Sequence, residues 1–200
     1  RQRQMCIRDR FGKGVNQFRT SAVGAGKINP RYTIDLLTAL REGGVFEVNE
    51  ELPRFYRCDR DTVPPAEMIN SARGKSDLAV MLITRGTGEN LDNSSARGEY
   101  YLSGEEENLL KTLSGNFSRT VVILNTGYPI DVTFADRYHV DALIYNGFGG
   151  MLAGQALADV LSGKMNPCGK LPDTWPKDYF DLPASRNFYD SADKPRLDAD

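Results

Sequence analysis

The stretch Leu78–Leu113 constrains this chain more than any other. Leu78-Ala79-Val80-Met81-Leu82-Ile83 is an unbroken apolar run, the pattern of a strand buried on both faces of a parallel sheet. Ser103-x-x-Glu106 is a capping box, and Leu109, Leu110 and Leu113 follow it at helical spacing. Between run and helix lies a polar loop of about eighteen residues, much longer than an ordinary connection. It carries Gly86-Thr87-Gly88 and then a carboxylate, Glu89. Ligand crevices in open α/β sheets lie outside the carboxyl ends of the strands, so this loop leaves the sheet where chemistry is expected.

The same alternation extends along the chain. Thr120–Asn125 reads as a second buried strand ending at Thr126-Gly127-Tyr128-Pro129, and Val140–Tyr145 as a third ending at Asn146-Gly147-Phe148-Gly149-Gly150. Asn29 and Pro30 predict a helix over Pro30–Glu42 with Ile34, Leu36, Leu37 and Leu40 inward. Pro64-Pro65 starts another, with Ala66, Met68, Ile69 and Ala72 inward. A short helix is expected around Val132–Arg137, and a longer one over Met151–Leu161, where Leu152, Ala156, Leu157, Val160 and Leu161 pack and Gly163 closes. Val45–Val48 reads as a short strand and 49–61 as an irregular helical insertion. Strands alternating with helices predict an α/β fold, a three-layer α/β/α sandwich with a mainly parallel sheet. The loops after Thr84, Asn125 and Asn146 should gather on one rim. Gly24-Ala25-Gly26 fits either close backbone approach to a ligand or a flexible turn.

The length suits one domain, or one domain plus a tail. Met5-Cys6-Ile7-Arg8-Asp9 is what ATG TGT ATA AGA GAC would encode, resembling a transposon end used in sequencing libraries. Residues 1–10 are therefore set aside as an adapter read-through. The domain is expected over 11–178, and 179–200 as the start of a linker toward a further C-terminal region. Lys and Arg total 25 against 27 Asp and Glu, a net charge of −2, which argues against a nucleic-acid-binding face. No apolar run approaches the length of a membrane span. Cys58 and Cys168 remain once Cys6 is set aside. Without CxxC spacing they form neither a disulfide framework nor a metal site, and they lean weakly toward the cytoplasm. His139, the one histidine, reads as a strand residue, and a zinc site of the usual kind cannot be assembled around it.

Several chemistries fall away on spacing. Gly86-Thr87-Gly88 lacks the third glycine of a dinucleotide fingerprint and the Gly-Lys-Ser/Thr of a P-loop, and no helix follows at once. GxSxG is absent, and His139 is poorly placed for a triad. Carboxylates remain: Glu89, Asp92 and Glu99. Glycosidic cleavage needs two carboxyl groups, one protonated to serve the leaving oxygen. A loop glutamic acid desolvated on docking against another surface could have its pKa raised for that task. On residue type alone, a loop glutamate is more often merely solvated.

A family resemblance adds to this reading. Gly88-Glu89-x-x-Asp92, Gly98-Glu99-Tyr100-Tyr101-Leu102-Ser103, Val121–Ile130 and Ala158–Lys177 follow in order. Together they resemble the C-terminal α/β sandwich domain of glycoside hydrolase family 3, the β-glucosidase family. Asn29-Pro30-Arg31-Tyr32-Thr33 fits that domain's opening helix. The resemblance implies an N-terminal (β/α)8 barrel carrying a nucleophilic aspartate, with this domain lending a loop glutamate as acid/base. It implies retaining hydrolysis of terminal non-reducing β-D-glycosyl residues, with no metal or organic cofactor. The implied substrate is a β-glucoside or a related oligosaccharide or aryl glycoside. On the family's Gly-Glu-Gly-x-Asp-Arg loop, Glu89 matches the acid/base and Asp92 the aspartate that shapes the loop. Asn90 stands in place of the usual glycine and Asn93 in place of arginine. Gly150-Met151-Leu152 replaces Gly-Gln-Glu, and Cys168 replaces serine.

On this reading the chain is a fragment that lacks the barrel, is inactive alone, and has a loop expected to be mobile without its partner. Two rivals differ in class. One is a non-catalytic structural or aglycone-side binding domain of the same kind of enzyme. The other is a freestanding ligand-binding α/β domain.

Overall fold

The computed structural model describes residues 9–44, 47–58, 60–88, 93–183 and 185. Strands β1 (Asp9–Phe11), β2 (Leu78–Thr84), β3 (Arg119–Asn125) and β4 (Ala142–Tyr145) form one sheet in that order, and each neighbouring pair is parallel. Helices α1 (Leu36–Glu42), α2 (Glu51–Phe55), α3 (Ala66–Arg73), α4 (Gly104–Asn116), α5 (Phe134–Arg137) and α6 (Ala153–Leu161) cover it. Side chains along β2 alternate between the two faces. Ala79, Met81 and Ile83, with Val122 and Leu124 of β3, pack against Ile69 and Ala72 of α3, Leu109, Leu110 and Leu113 of α4, and Phe134 of α5. Val80, Leu82 and Ile123 face Leu36, Ala39 and Leu40 of α1 and Leu157 and Ala158 of α6. This is the three-layer sandwich the apolar runs predict. Because the strands step one way across the sheet, crossovers of one hand bring α3, α4 and α5 to the same side.

Local chemistry sets the helix starts. The capping box on α4 is realised: Glu106 N–H donates to Ser103 Oγ at 3.1 Å, and Ser103 N–H donates to Glu106 Oε2 at 2.8 Å. Helix α1 begins at Leu36 rather than Pro30. Its N-cap is Asp35, whose Oδ1 accepts from Thr38 N–H at 2.7 Å. Ile34 cannot join the helix because both its backbone groups are engaged elsewhere. Its N–H donates to Met151 O at 2.8 Å and its C=O accepts from Gly154 N–H at 3.0 Å. The two chains lie so close there that a Cβ on Gly154 would overlap the backbone of Asp35. Helix α6 accordingly starts at Ala153, and Leu152 is exposed rather than packed.

Other expectations shift by a few residues. Strand β4 starts at Ala142, and His139 lies in the turn before it, not on a strand, with φ of 52°. The turn is closed by Val140 N–H donating to Ala135 O at 2.8 Å. Val45 and Phe46 lie outside the described residues. Glu47 and Val48 form no strand. Helix α2 and a 3-10 turn over Tyr56–Cys58 fill the insertion. Strand β1 begins at Asp9, so the sheet edge takes in Asp9 and Arg10 from the stretch set aside in the sequence. At the other end Tyr179 is buried and packs edge-on against Tyr100, which carries the packed unit past residue 178. Among the described residues no helix is long and apolar enough to cross a membrane.

Candidate catalytic rim at the strand ends

Parallel register brings the carboxyl ends of the strands together: Thr84 pairs with Asn125, and Leu124 with Tyr145. Asn125 is fully buried at the end of β3 and joins three segments. Its Oδ1 accepts from Arg19 N–H at 2.6 Å, and its Nδ2 donates to Arg19 O at 2.8 Å and Gly147 O at 2.7 Å. The 19–23 segment then runs beside the start of the long loop. Val23 N–H donates to Thr87 O at 2.9 Å, and Val23 and Gly88 form a parallel bridge. A Cβ on Gly88 would collide with Val23 O, so the close approach requires glycine. Gly127 is pressed between Thr87 and the Phe148 ring, and Gly150 N–H donates to Thr20 O at 3.0 Å. The three glycine-bearing loops therefore meet on one rim, as the strand-end rule predicts. Gly24–Gly26 is an exposed 3-10 turn beside that rim, and Met151 and Leu152 present exposed apolar surface.

The long loop is closed at its base by a buried ion pair. Arg85, just past β2, is 4% exposed and Glu106 is 1% exposed. Arg85 Nη1 donates to Glu106 Oε1 at 2.6 Å and Nη2 to Oε2 at 2.7 Å, a two-pronged contact. Nη1 also reaches Thr84 O at 3.0 Å, and Nε reaches Glu99 O at 3.0 Å. Burial works against the charge on Arg85, and the hydrogen bonds and charge of Glu106 outweigh it, so its pKa is raised.

The loop's returning limb is also held. Tyr128 Oη donates to Glu99 Oε2 at 3.0 Å, and burial followed by the Glu99 charge pushes the phenol pKa up. Tyr179 Oη donates to Asn93 O at 3.2 Å, Tyr100 Oη to Pro176 O at 2.5 Å, and Tyr179 N–H to Tyr101 Oη at 3.1 Å. Residues 85–88 and 93–102 of the loop are tied to the rest of the domain by these contacts. Glu89 and Asp92, the residues singled out in the sequence, lie outside the described residues, as do Asn90 and Leu91. Their described flanks are Gly88 on the rim and Asn93 under Tyr179.

Sequence reading missed Arg85 and Asn125 and assigned Glu106 only a capping role. The available signal was a polar residue ending each buried run. A cavity of about 280 Å³ opens elsewhere, lined by Arg97, Glu107, Asp131, Arg137 and Lys177 among others. It takes Arg97, Tyr101 and Leu102 from the returning limb of the loop but nothing from the strand ends, and Arg97 and Arg137 are paired with Glu107. Among the described residues no group of three or more His, Cys, Asp or Glu could hold a metal ion.

Comparison with known proteins agrees with this geometry. Residues 10–199 match the model of the glycosyl hydrolase family 3 C-terminal domain. A β-glucosidase of Ruminococcus albus is 32% identical over 199 residues, covering 90% of this chain and 21% of that protein. A β-glucosidase structure from Paenibacillus barengoltzii superposes with a TM-score of 0.84 at 28% identity, over 94% of this chain and 24% of that one. β-Glucosidase 3B of Thermotoga neapolitana, solved with glucose, gives 0.82 at 30% identity, over 94% and 29%. The chain thus spans between a fifth and a third of the length of these relatives.

Proposed function

The chain belongs to glycosyl hydrolase family 3, as its C-terminal domain, and from that premise we propose that it supplies the acid/base glutamate, Glu89, to a retaining β-glucosidase. The nucleophilic aspartate sits on a (β/α)8 barrel of the same polypeptide, and this domain alone is inactive. In the first step the aspartate attacks C1 while protonated Glu89 gives its proton to the glycosidic oxygen. The C1–O bond breaks, the alcohol leaves and a glycosyl ester forms. In the second step the Glu89 carboxylate removes a proton from water, the water oxygen bonds C1, and the ester breaks. Glu89 is again protonated and the aspartate is free.

The observation that carries this reading is the position of Gly88. The residue before Glu89 is bridged to Val23 on the rim where the three strand-end loops converge. Asp92 follows in the same stretch and shapes it, and the substrate is a β-glucoside or related oligosaccharide or aryl glycoside.

The test compares Glu89→Ala with wild type in the full-length enzyme on two aryl β-glucosides. In kcat/KM, which reports the first step, a substrate whose leaving oxygen needs no proton should lose little. A poor leaving group should lose about 10²-fold or more, the usual range for general acid catalysis. Equal loss on both, or none, would instead make the domain a buttress for the aglycone side of the pocket.

A further inference from the structure

The loop 85–102 has a base, and the base is one guanidinium. Arg85 ties the end of β2 through Thr84 O, the start of α4 through both oxygens of Glu106, and the returning limb through Glu99 O. Glu106 in turn accepts from Ser103 N–H. We propose that Arg85 and Glu106 are a positioning pair that sets where this loop presents its carboxylate to the substrate. The inference rests on the reading of Glu89 as the acid/base.

Three observations support it. First, burying both charges carries a desolvation cost that an apolar pair of the same volume would avoid, so stability alone is a weak reason for such a pair. Second, the planar fork is used at every nitrogen, and it meets three separate chain segments. Lysine could carry the charge but not that geometry. Third, the hold extends along the loop. Glu99, pinned by its backbone to Arg85, receives Tyr128 Oη on its side chain, and Asn93 is pinned by Tyr179. A shift at the base therefore moves the limb that leads back to the acid/base segment. Proton delivery is sensitive to displacements of about 1 Å, which can cost on the order of 10²-fold.

The experiment uses the full-length enzyme and its Glu106→Gln, Arg85→Lys and Glu89→Ala variants. The readout is the ratio of kcat/KM on dinitrophenyl β-glucoside to that on phenyl β-glucoside. This ratio does not depend on the folded fraction, so a destabilised variant still reports. Glu89→Ala should raise the ratio about 10²-fold or more. Glu106→Gln should raise it by about tenfold, and Arg85→Lys by less, in the same direction. If Glu89→Ala raises the ratio while both pair variants keep the wild-type value, the pair is structural only and the inference fails. If Glu89→Ala leaves the ratio unchanged, the acid/base reading fails and the inference falls with it.

Discussion

Arg10 and Arg85 are both buried, 1% and 4% exposed, and both belong to the sheet or its immediate continuation. Arg10 lies in β1 opposite Val80, and Arg85 follows the last residue of β2. There the likeness ends. Every nitrogen of the Arg85 fork has a partner. Among the described residues, Nε, Nη1 and Nη2 of Arg10 have no hydrogen-bond partner. Burial first, and then the neighbouring Arg41, lower the Arg10 pKa to about 10. The same residue type at similar burial is a built feature in one place and a cost in the other. The difference lies in what the surrounding chain provides. Arg10 belongs to the ten residues that the sequence reading sets aside, yet it pairs in β1 and lies within the region that matches the family.

The comparison can be broken or sharpened by substitution. Glu106→Gln takes the compensating charge from Arg85 and leaves it the carbonyls of Thr84 and Glu99. Breaking a buried pair from one side should cost about 3–5 kcal/mol in denaturant unfolding. A cost below about 1 kcal/mol would mean that the Arg85 charge is not dependent on its partner. Arg10→Val should do the reverse, since it removes a buried charge without a hydrogen bond. A gain of about 1–4 kcal/mol is expected, in line with replacing buried charges by packed apolar groups. A loss of stability there would mean that β1 needs this arginine, and would undo the comparison.

Two further substitutions set the scale. Gly154→Ala changes packing without charge, by forcing a methyl group into the backbone of Asp35. It should cost about 1–3 kcal/mol. Arg97 is an exposed arginine paired with Glu107, with Arg137 and Tyr138 on the same carboxylate. Arg97→Ala should cost less than about 1 kcal/mol. The hydrogen bond from Arg97, and then that from Tyr138, hold the Glu107 pKa below its ordinary 4.5. Its small contribution is complete above that value and lost as pH falls through the lowered one. An acid titration of Tm in wild type and Arg97→Ala should therefore converge at low pH.

Much of the fold is legible in the sequence because apolar runs and caps are local signals. The runs at Leu78 and Thr120 become β2 and β3, and Ser103-x-x-Glu106 caps α4 as read. What escapes is decided by distant contacts. Asn29-Pro30 is a sound helix start in isolation, yet Ile34 is claimed on both backbone groups by the start of α6, and the helix waits for Asp35. Leu152 fits the apolar stripe of α6 but falls at its N-cap. The rim was legible as three glycine-bearing strand ends. Its two fasteners, Asn125 and the Arg85–Glu106 pair, were not, because each joins segments far apart in the chain. Glu89 and Asp92 come from the loop and the family motif, and both lie outside the described residues.

The central claim is that this domain supplies the proton, and azide tests it most directly. Azide would be added to full-length Glu89→Ala turning over an activated aryl β-glucoside. If Glu89 is the acid/base, the glycosyl ester accumulates and azide, which needs no base, attacks it. Turnover should rise with azide, and the product should be the β-glycosyl azide, formed with net retention. No rescue, or an α-glycosyl azide formed in one inverting step, would contradict the account.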